Sequence, residues 1–342
     1  MKKILFTIFT FLLLISNVNA LKVVSLGDSV TSGYLLDDET KSYDNLLADT
    51  LDVEYYEYSY IGMRSDDLLY DLEDEELKSN IMDADIVIIN IGANDLLDLL
   101  DYIDLSKVGI EIKYGTIPKV DLSKEFINNL KNYMREFFVN ELEPMSIETA
   151  NDFAIIFPSI IETIKEYNPD IKIYVNNLYN PFFNISIPLL QIDLSDVEEV
   201  AENAIASFND TIYKYDDYEI VDVYSLLRNN KYLNVNPINL EFHPHPNIEG
   251  HEKIYELYLK ELCYKVTYDN NDYYVIKGES INIEPKKKSG YKFVKWNYDL
   301  NNINSDIELI AIYKKTFNYL YLIPIGIIVV ITILLIIKKK NK

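Results

Sequence analysis

The chain reads as an α/β domain with a parallel sheet covered on both faces, followed by a small all-β module and a long apolar run. Three observations predict this. Up to about residue 265, short apolar runs alternate with segments of helical periodicity. From Tyr264 the pattern changes to period two, interrupted by turn residues. Phe317–Ile337 then carries no charged residue at all.

The elements follow in order. Lys22–Leu26 (KVVSL) is a short buried strand, and Ser42–Leu51 a helix. Val53–Gly62 is the second strand, and Asp66–Met82 a helix with one apolar face. Ala84–Gly92 (ADIVIINIG) is apolar nearly throughout, as a central parallel strand must be. Ile171–Pro181 is the fourth strand, entered after Pro169 closes the preceding helix. Val197–Tyr215 is a helix, Tyr218–Leu227 the fifth strand, and Ile248–Lys265 the last helix of the domain, with Cys263 near its end. That single cysteine rules out an intrachain disulfide and is expected to be a small core residue.

Asp101–Met145 is an insertion between the third strand and the helix before the fourth. Within it Phe126, Leu130, Tyr133, Met134, Phe137 and Phe138 fall on one helical stripe. The stripe is expected to pack against the domain. The alternative is a cap beside the ligand end, because loops after parallel strands open there.

The termini have separate roles. Residues 1–20 combine Lys2 and Lys3, an apolar Ile4–Ile15 and a small-residue Val18-Asn19-Ala20. That pattern is a signal peptide cleaved after Ala20. Phe317–Ile337 spans about 31 Å as a helix, and Lys338, Lys339, Lys340 and Lys342 mark a cytoplasmic tail at 338–342. The expected localisation is the cell membrane, single-pass, with the body outside the cytoplasm.

The formal charge is −23, and the terminal lysines make the region between the ends more acidic still. Such a body is not a nucleic-acid binder. The acidic run Asp71–Glu76 lacks the spacing and glycine of a calcium loop and reads as a solvated face.

Chemistry concentrates at the carboxyl ends of the strands. The first ends in Gly27-Asp28-Ser29, the second in Ile61-Gly62-Met63, the third in Gly92-Ala93-Asn94-Asp95. The loop after the fifth carries His243-Pro244-His245-Pro246-Asn247, with His251 following. A serine needs a base to take its proton, and acyl transfer needs donors aimed at the developing oxyanion. In a parallel sheet these groups must meet at one edge.

The four blocks GDSVTSG, Gly62, GANDLL and HPNIEGH, in that order, resemble the SGNH, or GDSL-type, serine esterase/lipase family over roughly residues 21–264. The resemblance implies a flavodoxin-like three-layer α/β/α domain over 21–263, with a five-stranded parallel sheet. It also implies hydrolysis of acyl esters without a metal. Carried over, Ser29 is the nucleophile. The backbone N–H groups of Ser29 and Gly62 and the Asn94 amide are the oxyanion donors. His245 is the base. Asp28 holds the turn and Asp95 the loop. The family's orienting acid would stand three residues before the histidine, where this chain has Phe242. Glu241 orienting His245 through a bulge is preferred. His245 leaning on a backbone carbonyl, or His243 acting as base beside Glu241, remain open. His251 is expected to pack against or cap the last helix.

Residues 264–315 resemble the internalin B-repeat-like modules of bacterial surface proteins. Val266-Thr267-Tyr268, Gly290-Tyr291-Lys292-Phe293 with Lys295-Trp296, and Asp306-Ile307-Glu308-Leu309 with Ile312-Tyr313 carry the likeness, although the usual glycine pair is absent. A spacer between enzyme and membrane is the expected role. The whole is expected to be a membrane-anchored esterase acting on O-acetyl groups of cell-wall or other glycans, or on short-chain lipid esters. The departure at Phe242 keeps a non-catalytic surface-binding protein as the alternative.

Overall fold

The computed structural model describes residues 21–109, 123–183, 186–187, 192–193, 195–228, 230–236, 241–316 and 322–340. The expected signal peptide and part of the insertion lie outside these residues. The chain divides into two compact units, Met1–Glu261 and Leu262–Lys342.

In the first unit β1 (Lys22–Gly27), β2 (Glu54–Ser59), β3 (Ile86–Asn90), β4 (Lys172–Asn176) and β5 (Glu219–Val221) form one sheet. Its order is β2-β1-β3-β4-β5 and every pairing is parallel. This is the expected doubly wound sheet. The strand order reverses beside β1, which sets a crevice at the carboxyl ends of β1 and β3. β3 is apolar because it lies centrally. β2 lies at the edge, and its Glu, Tyr and Ser residues are all exposed or half-buried.

The two sheet faces are covered differently. Val24, Leu26, Val87, Ile89, Ile173 and Val175 share one apolar core with Leu68, Ile81, Phe153, Phe157, Ile160 and Phe208. Those partners come from α2 (Ser65–Asp71), α3 (Glu75–Met82), α6 (Glu143–Tyr167) and α7 (Ser195–Tyr213). The alternate residue Ser25 points to the other face and donates to Asp44 of α1 (Tyr43–Leu51) at 2.9 Å. There Tyr43 stacks between His251 and Tyr258 of α9 (Ile248–Leu262).

Local chemistry moves several boundaries. The expected helix 66–82 is broken in two, because Asp74 accepts from the Glu76 and Leu77 N–H groups and starts α3 afresh. The fifth strand is shorter than expected. Asp222 accepts from Ser225 N–H and caps α8 (Val223–Leu227), so VYSLL is helical. The last helix stops at Leu262, and Cys263 is a buried strand residue rather than a helix end.

The insertion forms α5 (Lys124–Phe137), a π-turn over Phe138–Leu142, and then α6. Phe137, Phe138 and Leu142 make a satellite cluster with Leu99 and Val200, and Met134 packs against it. Of the expected stripe, Met134, Phe137 and Phe138 belong to this separate cluster rather than to the main core.

In the second unit, β8 (Cys263–Tyr268) and β9 (Asn271–Ile276) form a hairpin after β6 (Leu233–Asn236) and β7 (Glu241–Pro246) of the first. Its two-residue turn places Asp269 and Asn270 at φ 52° and 66°, the conformation a tight hairpin demands. β8 also pairs in parallel with β11 (Ile307–Glu308), while β10 (Tyr291–Trp296) pairs with β12 (Ala311–Lys315). Val266, Ile283, Ile303 and Leu309 supply the small core.

The C-terminal helix α10 runs Leu322–Lys340. Its apolar part, Leu322–Ile337, is about 24 Å long at about 1.5 Å per residue, against about 30 Å of hydrocarbon. Among the described residues no helix is long and apolar enough to cross a membrane. Residues 317–321 of the expected span lie outside the described residues.

Candidate active site

The site begins where β1 must turn. A Cβ at Gly27 would lie 2.3 Å from Thr31 Oγ1 and 2.7 Å from the Asn90 carbonyl, so only glycine fits the end of this strand. Asp28 then holds the turn. Its N–H donates to the Asn90 carbonyl at 3.2 Å. Its Oδ1 accepts from Val30 N–H at 2.9 Å and from Asn90 Nδ2 at 2.8 Å. Burial pushes its carboxyl up to about 7, against the opposing pull of those two bonds.

Ser29 follows, buried at 5 % exposure, with Oγ 2.9 Å from His245 Nε2. Between the two candidate histidines this contact belongs to His245. The segment expected as a loop is β7, paired with β6 in an antiparallel ribbon. Tyr179 donates its hydroxyl to the Pro244 carbonyl, and the Tyr34 ring meets His245 edge-on at 5.0 Å. Asn247 donates to the Lys231 and Leu233 carbonyls and accepts from Gly250 N–H, tying the ribbon to the start of α9. His245 is thus held on both sides. Glu241 opens β7 opposite Asn236, and His243 lies opposite Asn234. The side chains of Glu241, Phe242 and His243 lie outside the described set, and with them the expected orienting contact.

Asn94 sits in α4 (Ala93–Leu97), buried, and donates through Nδ2 to the Met63 carbonyl at 2.9 Å. One amide hydrogen is thus anchored to the loop after β2, which fixes the direction of the other. Asp95 accepts from Ser65 N–H at 3.0 Å and from its hydroxyl, so it fastens α2 to α4. Gly62 is exposed, with φ +86° and open space around a would-be Cβ. Backbone conformation, not crowding, demands glycine there.

His251 caps a different helix from the one expected. It is fully buried in α9, and its Nδ1 accepts from Tyr43 N–H, the first amide of α1, at 3.3 Å. Burial, with His245 nearby, lowers it to about 4, so the ring is neutral.

Ser29, Asn94 and His245 line one cavity of about 90 Å³. Gly62 is not among its lining residues. Two features of this cavity escaped the sequence reading. One is a polar chain along the strand ends. Asn176 Nδ2 donates to Asn90 Oδ1 at 3.0 Å, and Tyr258 donates to Asn176 Oδ1 at 2.7 Å. A polar residue closing an otherwise apolar central strand, as in IVIIN and KIYVN, was the available signal. The other is an apolar wall from Leu96, Leu99, Phe138, Leu142, Ala201 and Ala204.

Comparison with known proteins agrees with the block order. The model of the GDSL-like lipase/acylhydrolase family matches residues 25–253 and none of the C-terminal module. Protein YpmR of Bacillus subtilis (strain 168), described as uncharacterized, is 27% identical over 192 residues, which are 54% of this chain and 62% of that protein. The chain thus spans less than two thirds of that curated relative's length. Among solved structures, the lipase Lip_vut3 from a goat rumen metagenome is 18% identical, with 70% of this chain and 95% of that one covered and a TM-score of 0.47. Phospholipase A1 from Streptomyces albidoflavus NA297 is 18% identical, with 71% and 99% covered and a TM-score of 0.46.

Proposed function

From the premise that the chain belongs to the GDSL-like lipase/acylhydrolase family, which is a family of carboxylic ester hydrolases, we propose a serine esterase in which Ser29 is the nucleophile and His245 its general base. The observation that carries this reading is the 2.9 Å contact between Ser29 Oγ and His245 Nε2 at the wall of a cavity. With Nε2 unprotonated, the hydroxyl donates to it. As Oγ attacks the ester carbonyl, its proton passes to Nε2. The carbonyl oxygen becomes an oxyanion. The Ser29 and Gly62 N–H groups and the second hydrogen of Asn94 Nδ2 are the donors assigned to it. Collapse expels the alcohol, which takes the proton from Nε2. Water, deprotonated by the same nitrogen, then releases the acid and restores Ser29.

Glu241 is assigned to orient His245. Its place at the start of the same strand supports this assignment. Asp28 is assigned to the turn and not to proton transfer, because Oδ1 already accepts two hydrogen bonds that hold the turn.

The protein is further proposed to act outside the cytoplasm, anchored by 317–337, with 264–315 as spacer. The basic apolar leader and the charge-free run followed by lysines support this reading. Glycan O-acetyl groups and lipid-type esters are the two substrate classes. The apolar wall favours the second.

The test is hydrolysis of para-nitrophenyl esters by the full chain and by Ser29→Ala, His245→Ala, His243→Ala and Glu241→Ala. Turnover lost in the first two, kept in His243→Ala and lowered in Glu241→Ala is the expected result. Turnover surviving in Ser29→Ala removes the reading, and loss in His243→Ala with retention in His245→Ala reassigns the base.

A further inference from the structure

In the small β module, β10 and β12 form a two-stranded antiparallel sheet with two unlike faces. Side chains alternate between those faces along each strand. On one face Phe293 stands opposite Tyr313, and Trp296 opposite Ala311. The Phe293 and Trp296 rings lie 5.0 Å apart, and the Tyr268 ring meets Trp296 edge-on at 4.9 Å. That face closes on the module's own core, against which Trp296 packs.

The other face is open. Lys292 stands opposite Lys314 and Lys295 opposite Ile312, with Val294 in the bulge between the two β10 lysines. Ile310 precedes β12 by one residue and, by alternation, falls on the side of Ile312 and Lys314. Val294, Ile310 and Ile312 are 55 %, 57 % and 39 % exposed, so three aliphatic side chains stand in water beside three lysines. Neither strand contains an acidic residue.

These lysines are unusual for a chain whose formal charge is −23. Lys265 and Lys286 of the same module pair with Asp272 and Asp269. Lys292, Lys295 and Lys314 pair with no acid among the described residues. Lys292 directly opposite Lys314 is a like-charge pair, which costs the sheet stability. A face that keeps this repulsion and leaves aliphatic side chains wet suits an anionic surface with an apolar layer beneath it. A soluble polyanion would answer the lysines but give Val294, Ile310 and Ile312 nothing to enter. The chain also leads that way. The apolar helix α10 begins at Leu322, seven residues after Lys315, within about 24 Å of extended backbone.

We propose that this face docks on an anionic lipid bilayer. Lys292, Lys295 and Lys314 meet the headgroup phosphates, and Val294, Ile310 and Ile312 reach the acyl boundary. The module is then a membrane-contacting surface and not a spacer alone. The contact rests on the module's own residues and is independent of the esterase reading.

The test is the full chain with Val294→Cys carrying nitrobenzoxadiazole, mixed with phosphatidylcholine vesicles or with vesicles that also contain phosphatidylglycerol. The native thiol, Cys263, is buried, and the unsubstituted chain reads its background. A blue shift of the label and its quenching by doxyl lipids are expected on the phosphatidylglycerol vesicles only, and high salt reverses both. Lys292→Gln, Lys295→Gln and Lys314→Gln each lower the docked-to-undocked ratio by about fivefold, and together by about a hundredfold. Lys41→Gln, Lys172→Gln and Lys260→Gln together change the net charge equally and leave the ratio unmoved. A melting temperature of the first triple variant at or above wild type shows that the module is folded.

The same shift on both kinds of vesicle, or none on either, overturns the proposal and leaves the lysines as guards of two edge strands. An equal loss in the second triple variant overturns it in favour of net charge. Lysine-dependent binding of soluble polyphosphate without docking on vesicles overturns it in favour of a polyanion. Co-sedimentation with neutral vesicles reads the apolar helix alone, so the anchor and the face can fail separately.

Discussion

The polar and the apolar linings of the cavity come from different parts of the chain. The polar end is built from residues at or just beyond the carboxyl ends of strands: Ser29 after β1, Asn94 after β3, His245 on the ribbon that follows β5. Hydrogen bonds fix each of these segments, through Asp28 to Asn90, Asn94 to Met63 and Asn247 to Lys231. The apolar end is built from helical turns and an insertion, and van der Waals packing of Leu99, Phe138 and Leu142 holds it. The first is rigid by directional bonding and its residues admit few substitutes. The second needs only the right volume, so its residues can vary in size.

The largest expected effects lie at the polar end. Ser29→Ala or His245→Ala is expected to lower kcat by about 10⁴-fold or more while far-UV circular dichroism and the melting temperature stay near wild type. A smaller loss would mean the pair does not act as nucleophile and base. Asn94→Ala is expected to lower kcat by about 10²- to 10³-fold with little change in KM, as removal of one oxyanion donor does. A change confined to KM would assign Asn94 to ground-state binding instead.

At the apolar end the expected effect is on stability. Leu142→Ala is expected to cost about 2 kcal/mol in urea denaturation, the low end for a buried leucine, because the site already borders a cavity. A loss near 5 kcal/mol would make this wall part of the main core.

A subtler contrast lies in pH. Folding raises the Asp28 carboxyl to about 7 from an ordinary 3.8, so between about pH 4 and 7 the folded chain holds a proton that the unfolded chain releases. Stability therefore falls as pH rises through that window, by roughly 1.4 kcal/mol per pH unit from this group, and no further above it. Asp28→Asn keeps an oxygen for the Val30 and Asn90 bonds and lacks the titration. Its advantage over wild type is expected to grow from pH 5 to pH 7 in urea melts. A constant difference would contradict a buried, proton-holding Asp28. His251, lowered to about 4, pulls stability the other way below pH 6.5, but it is common to both proteins and cancels. The smallest effect belongs to His243→Ala, expected to change kcat/KM by less than about threefold, as a substitution without a partner in the chemistry does.

The polar end was legible in the sequence because its chemistry forces residue types. Gly27 cannot carry a Cβ against Thr31, and a nucleophile needs an imidazole within reach. The sheet was legible because a central strand must be apolar on both faces. Three features were not. Nothing in the aromatic stripe of residues 126–138 says which apolar surface it meets, since hydrophobic burial carries no direction. Side chains that start a new helix also overrode longer periodic patterns, as Asp74 and Asp222 did. The approach of His245 to Ser29 depends on where the β6–β7 ribbon places it, a contact between segments that sequence spacing does not encode.

The most direct measurement is covalent labelling of the full chain by a fluorophosphonate, with the modified residue mapped by mass spectrometry. One adduct is expected, on Ser29, absent in Ser29→Ala and slowed at least about a hundredfold in His245→Ala. An adduct on another serine, or labelling of Ser29→Ala at the wild-type rate, would contradict it.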